Sequence, residues 1–155
     1  MKKRDLHPGN VLLDKILSLE NCYIGDLGLA ISESEAKNIN EITGVMPYMA
    51  PELLSGRGSY SQATDVYAFG IIMWEISSGE NPFHDVNHDK YLALRILKRL
   101  HPEITNDTPL CYQNLMQQCW HSDPTQRPTA EKIQKTIMSW YEYHPIFRTE
   151  IKNQL

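Results

Sequence analysis

Three oxygen-bearing side chains stand close together near the start of the chain. Asp5 is followed five positions on by Asn10, and Asp26 comes next, in the Gly-flanked stretch Asp26-Leu27-Gly28. A carboxylate can orient a hydroxyl nucleophile and accept its proton. A side-chain amide folded back across a short loop can face the same phosphates. A second carboxylate suits magnesium, a hard cation that prefers oxygen ligands. The trio is thus the donor set that a metal-bound phosphate beside a hydroxyl requires. Taken alone it is a short pattern, because Asp and Asn are also common turn formers.

The elements that must position these residues are readable in outline. Val11-Leu12-Leu13 and Cys22-Tyr23-Ile24 are apolar runs that predict a β-hairpin, with a polar turn around Glu20-Asn21. The stretch 32–41 is polar and charged, and is expected as an exposed, mobile loop. From Pro51 onward the pattern is helical. Val66, Phe69, Met73 and Ile76 recur at helical spacing, while Ala68, Ile71, Ile72 and Trp74 fill the other faces, which predicts a buried central helix. Ser61 is its expected N-cap and Gly79 its stop. Tyr91, Leu94, Leu97 and Lys98 mark a second helix ending near His101-Pro102. Cys111, Leu115 and Cys119 mark a third. Ile133, Ile137, Trp140 and Tyr141 mark a fourth, with Thr129 as its cap, and the tail after His144-Pro145 is polar.

Composition limits the alternatives. A chain of 155 residues with net charge −4 fits one domain and argues against a nucleic-acid-coating surface. No run is apolar and long enough to span a bilayer, so no membrane partner is expected. Cys22, Cys111 and Cys119 form an odd, unpaired set, which fits reduced thiols and an intracellular, cytoplasmic setting. Cys111 and Cys119, if on one helix, lie about 12 Å apart along it, too far for a disulfide. His84, His88, Asp85 and Asp89 read as solvated polar residues rather than a metal site. Gly56-Arg57-Gly58 lacks the third glycine and leading strand of a phosphate loop.

The ordered motifs go further. Arg4-Asp5-Leu6-His7-Pro8-Gly9-Asn10, Asp26-Leu27-Gly28, the run from Gly44 to Ala50-Pro51-Glu52, Asp65-Val66-Tyr67-Ala68-Phe69-Gly70, Asp123-Pro124 and Arg127-Pro128 stand in the sequence in that order. Together they resemble the catalytic loop, metal loop, substrate-docking segment and helical large lobe of a eukaryotic protein kinase of the tyrosine-kinase-like branch. The resemblance runs from about Arg4 to about Trp140. It implies a mainly α fold, the large lobe with a small β-hairpin at its start and no small lobe. Residues 1–143 would form that C-terminal lobe and 144–155 a polar tail.

It implies transfer of the γ-phosphoryl of ATP to a Ser/Thr or Tyr hydroxyl of a protein substrate. Asp5 would be the catalytic base, with Asn10 and Asp26 binding magnesium and, through it, the nucleotide. Glu52 and Arg127 would form a buried ion pair anchoring the activation segment. Asp65 would be the buried acid holding the catalytic loop's amides, or a charge favoured by the helix dipole. Arg4 would receive a phosphate placed on Ser32, Ser34 or Thr43.

Four positions depart from the pattern. Lys3 stands for the usual His and Leu27 for the usual Phe. His7 and Val45 replace the Lys and Thr that contact phosphate and base in serine/threonine kinases. Hydroxyl class therefore stays open. The glycine loop, strand Lys and helix Glu that hold nucleotide are not found before Arg4. The expectation is a truncated lobe, weakly active or inactive alone, with a non-catalytic pseudokinase-type interaction module as the alternative. An uncovered central helix at 65–78 would then expose an apolar surface for a partner.

Overall fold

The computed structural model describes residues 6–16, 19–25 and 46–143. Among them are two strands, β1 (Val11–Ile16) and β2 (Leu19–Ile24), and five helices: α1 (Pro51–Leu54), α2 (Gln62–Ser78), α3 (Lys90–Leu97), α4 (Leu110–Cys119) and α5 (Ala130–Tyr143). Short 3-10 turns lie at Pro8–Asn10, Met46–Tyr48 and Pro124–Gln126. The chain is mainly helical, with one antiparallel hairpin at its start. The expected loop at 32–41 and the tail after 143 lie outside the described residues.

The hairpin register pairs Val11 with Ile24 and Ile16 with Leu19. The reversal therefore falls between Ile16 and Leu19. Glu20 and Asn21, expected in the turn, belong to β2 and pair with Lys15 and Asp14. Polar residues are as well placed on a strand as in a turn, so polarity alone misplaced the bend.

α2 is the post around which the rest packs. Its start is a reciprocal capping box. Ser61 Oγ accepts from the Thr64 amide at 3.3 Å, and Thr64 Oγ1 accepts from the Ser61 amide at 3.1 Å. Gly79 ends it in the left-handed conformation, φ 71°, donating to Glu75 O at 2.9 Å. Tyr67, Ile71, Met73 and Trp74 of α2 share one buried cluster with Leu115, Met116 and Cys119 of α4, Trp120 and Ile133 of α5. Gly70 makes the α2–α4 approach possible: a Cβ there would sit 2.9 Å from Cys119 Cβ and 3.0 Å from Trp120 N. Two polar ties brace the same wall. Trp74 Nε1 donates to Glu103 O at 2.7 Å, and the Tyr112 hydroxyl donates to Met73 O at 2.8 Å.

This packing corrects the expected apolar surface on the central helix. Of the large apolar residues of α2 only Ile76 is exposed, at 51%. Val66, Tyr67, Ile71, Met73 and Trp74 lie in the buried cluster with α4, Trp120, Ile133 and Ala50, and Ile72 is buried as well.

α3 differs from expectation in length and in its inward face. It ends at Leu97 rather than near His101-Pro102, because the chain turns at Arg99, φ 68°. Leu92 and Ile96 are the buried pair, packed with Phe83 and against Met46, Leu54 and Leu100. Tyr91, Leu94 and Leu97, which marked the helix in the sequence, face outward. Both sets have helical spacing, so periodicity alone could not choose between them. Asp89 caps the helix, accepting from the Tyr91 and Leu92 amides at 2.8 and 3.3 Å.

Thr129 Oγ1 accepts from Lys132 N at 3.2 Å at the start of α5. Cys111 and Cys119 are both free, and burial pushes the Cys119 thiol up to about 12. No helix among the described residues is long and apolar enough to cross a membrane.

Candidate functional site

Pro8 fixes the start of a single 3-10 turn that carries Asn10 inward. His7 caps it, its Nδ1 accepting from Gly9 N at 3.2 Å, while the Asn10 amide donates to His7 O at 2.9 Å. A Cβ on Gly9 would meet the His7 ring at 2.9 Å, so glycine there leaves room for the capping ring. Asn10 is buried, at 7% exposure. Its carbonyl accepts from Gly25 N at 2.7 Å. That bond ties the turn bearing Asn10 to the residue immediately before Asp26.

Asp5 and Asp26 themselves lie outside the described residues. So do Arg4, Lys3, Leu27 and Val45, and the hydroxyls of Ser32, Ser34 and Thr43. Of the three oxygen donors singled out in the sequence, only Asn10 has a described position.

The second part of the site is the segment 46–58. Tyr48 stands 6.5 Å from the His7 ring, centroid to centroid, and its hydroxyl donates to Glu75 Oε2 at 2.6 Å. Burial, and then the bond to Glu75, push the Tyr48 pKa up, so the hydroxyl stays a donor. The segment is thereby fastened both to the Asn10 turn and to α2. A cleft of about 460 Å³ opens beside it, lined by Pro47, Tyr48, Pro82 and His88 among others.

Glu52 and Arg127, distant in sequence, meet in a two-pronged ion pair. Arg127 Nη1 donates to Glu52 Oε1 at 2.7 Å and Nη2 to Oε2 at 2.8 Å. Arg127 also donates from Nη1 to Ala63 O at 2.9 Å and from Nε to His121 O at 2.7 Å. Its side chain is 0% exposed and that of Glu52 17%. The guanidinium lies over the Tyr67 ring at 5.1 Å. Tyr67 is fully buried, and burial pushes its pKa up. Its hydroxyl has no hydrogen-bond partner among the described residues.

Two residues of this region had no role assigned from the sequence. Tyr67 stood only within the run from Asp65 to Gly70, since any helical aromatic reads as core. Gly58 stood only in a discounted glycine pair. A Cβ on it would lie 2.8 Å from both Cβ and Cγ of Glu52, and its amide donates to Glu52 O at 2.9 Å. A glycine in a polar turn after an acid is a weak signal that a backbone passes close to that acid.

Asp65 lies in the first turn of α2 and is partly buried. The His84–Asp89 stretch is occupied locally. His84 Nδ1 is 3.3 Å from Glu80 Oε2, a His88 ring nitrogen is 3.2 Å from Phe83 O, and Asp89 caps α3. Among the described residues no group of three His, Cys, Asp or Glu is placed to hold a metal.

Comparison with known proteins places this geometry. A family model described as protein tyrosine and serine/threonine kinase matches residues 2–137. A probable serine/threonine-protein kinase of Dictyostelium discoideum is 37% identical over 130 residues, covering 84% of this chain and 14% of that protein. The dual specificity protein kinase pyk3 of the same organism is 35% identical over 133 residues, 86% of this chain and 10% of its own length. The dual specificity protein kinase shkA, also from Dictyostelium discoideum, is 34% identical over 135 residues, 84% of this chain and 25% of its own length. The chain thus spans a quarter or less of each of these relatives.

Proposed function

The chain belongs to the protein tyrosine and serine/threonine kinase family, and from that membership we propose that it supplies the catalytic loop and large lobe of a protein kinase. The protein would transfer the γ-phosphoryl of ATP to a protein hydroxyl. Asp5 accepts the proton of the attacking hydroxyl, and Asn10 and Asp26 hold magnesium. Bound magnesium neutralises phosphate charge during transfer.

The observation that carries the reading is the bond from Gly25 N to Asn10 O at 2.7 Å. It ties the loop with the amide ligand to the loop with the acid, as two ligands of one cation require. The amide oxygen and carboxylate are donors that suit a hard cation. The Glu52–Arg127 pair then holds the end of the segment that presents the acceptor, and the cleft beside Tyr48 receives it. In the same reading a phosphate on Ser32, Ser34 or Thr43 pairs with Arg4 and orders the intervening segment. The tyrosine-kinase-like assignment and the choice of hydroxyl belong to this proposal as well. Two relatives are called dual specificity kinases, which favours a site tolerant of both hydroxyl classes.

The test is phosphate transfer from labelled ATP by the chain joined to a kinase nucleotide lobe placed in frame before Met1. Transfer is expected, and Asp5→Asn should abolish it. Transfer that survives Asp5→Asn removes Asp5 as the base. No transfer by the unsubstituted fusion removes the catalytic reading in favour of a non-catalytic module.

A further inference from the structure

α3 presents an outward face that the fold does not use. Tyr91 is 64% exposed, Leu94 53% and Leu97 37%. At 3.6 residues per turn these three fall within about 120° of arc, forming one stripe. The opposite face is occupied, with Leu92 and Ile96 buried against Phe83.

The stripe is also basic within an acidic chain. Residues 90–100 contain Lys90, Arg95, Lys98 and Arg99 and neither Asp nor Glu, whereas the whole chain carries a net charge of −4. All four cations are exposed. Lys90 Nζ lies 5.3 Å over the Tyr91 ring, which holds one of them on the apolar stripe. Asp89, just before the helix, is committed to capping. Arg99 sits at φ 68°, a conformation for which glycine is the ordinary residue.

From this we infer that the outer face of α3 is a docking surface for an acidic segment of a partner protein. Its apolar side chains would seat on Tyr91, Leu94 and Leu97, and its carboxylates would meet Lys90, Arg95 and Lys98. Charge complementarity selects this occupant. A second copy of the chain would set the same cations against each other across a two-fold axis. An anionic bilayer would gain only three apolar side chains from an eight-residue helix, and would repel the acidic remainder.

The inner face of α3 packs on Met46 and Leu54, which flank the segment bearing Tyr48 and Glu52. A partner held on the outer face is therefore kept beside the Tyr48 cleft, which raises its local concentration there. That consequence rests on the kinase reading, but the docking does not.

The experiment measures fluorescence anisotropy of a labelled peptide of Glu and Leu, with Leu at helical spacing, without ATP. Because no phosphate transfer is involved, its result is independent of the Asp5→Asn assay. Saturable binding that weakens with salt is expected. Leu94→Ser and Lys98→Glu should each weaken it about tenfold. Leu110→Ser, at an exposed site on α4, should leave it unchanged. Circular dichroism checks that each variant folds. The inference is overturned by absence of binding, by equal binding of a Lys/Leu peptide, or by indifference to Leu94→Ser and Lys98→Glu. Phosphatidylserine vesicles that bind in place of the peptide overturn it in favour of a membrane surface.

Discussion

Replacing Arg127 by Met tests what holds the segment 46–58 in place. The substitution keeps an unbranched apolar stem and removes both prongs to Glu52. It also strips donors from Ala63 O and His121 O. Removing one partner of a buried pair costs about 3–5 kcal/mol, mostly because the other charge is left unpaired. Glu52 is 17% exposed and can regain some water, so the lower end, about 3 kcal/mol, applies. With a urea slope near 2 kcal/mol/M, the unfolding midpoint should fall by about 1.5 M. Adding Glu52→Leu to Arg127→Met removes the stranded carboxylate. The double variant should therefore be more stable than Arg127→Met alone, although it carries one more change. Lys135→Met is the control. Lys135 and Glu131 are as close, at 2.6 Å, but both are 73% exposed, so its effect should stay below about 0.5 kcal/mol. If Arg127→Met costs no more than Lys135→Met, or if Glu52→Leu destabilises it further, the pair is not the anchor described above.

Gly70→Ala should lower stability by about 1–3 kcal/mol in urea unfolding, because its Cβ would meet Cys119 Cβ and the Trp120 backbone where α2 crosses α4. His101 is stacked on Trp120, rings 4.8 Å apart and 12° from parallel, and burial holds its pKa below the ordinary 6.5. The unfolded chain then binds more protons, so His101's contribution is complete above pH 6.5 and declines as pH falls through that value. His101→Phe keeps a ring on Trp120 and should flatten this part of the stability profile between about pH 7.5 and about pH 5.5.

Much of the architecture is written locally. The Ser61 cap, the Gly79 stop and the Thr129 cap depend on side chains that reach only a few residues along the chain, so their sequence signals sit beside their effects. Burial of α2 was legible because its apolar residues occupy every face. The errors came where two arrangements share one pattern. Polar residues suit a turn or a strand, and the hairpin bend was placed at Glu20-Asn21 instead of between Ile16 and Leu19. In α3, Tyr91/Leu94/Leu97 and Leu92/Ile96 are both helical faces, and only the neighbouring Phe83 decides which turns inward. The expected apolar surface on α2 failed for a related reason. It took an apolar helix to be left bare, whereas among the described residues α4, Trp120 and Ala50 share a buried cluster with it.

The candidate site is legible in a different way, because its parts are joined across sequence rather than along it. Asn10 accepts from Gly25 through backbone atoms, a contact that no side-chain pattern reports. Glu52 finds Arg127 only after α2 has been laid down between them, and Ala63 at the start of α2 supplies a carbonyl to the same guanidinium. Arg127 therefore bonds three elements at once: α1 through Glu52, the start of α2 through Ala63, and the turn after α4 through His121. Tyr67 closes the fourth side with its ring. Each of these residues is ordinary by itself, and Tyr67 and Gly58 carry no chemistry that spacing would flag. What they surround is one fully desolvated cation, whose need for partners fixes the segment 46–58 against the helical core. A site built this way ties positioning to folding. Substitution at Gly58, which touches none of the proposed reacting groups, should displace Glu52 and loosen the segment before it disturbs α2.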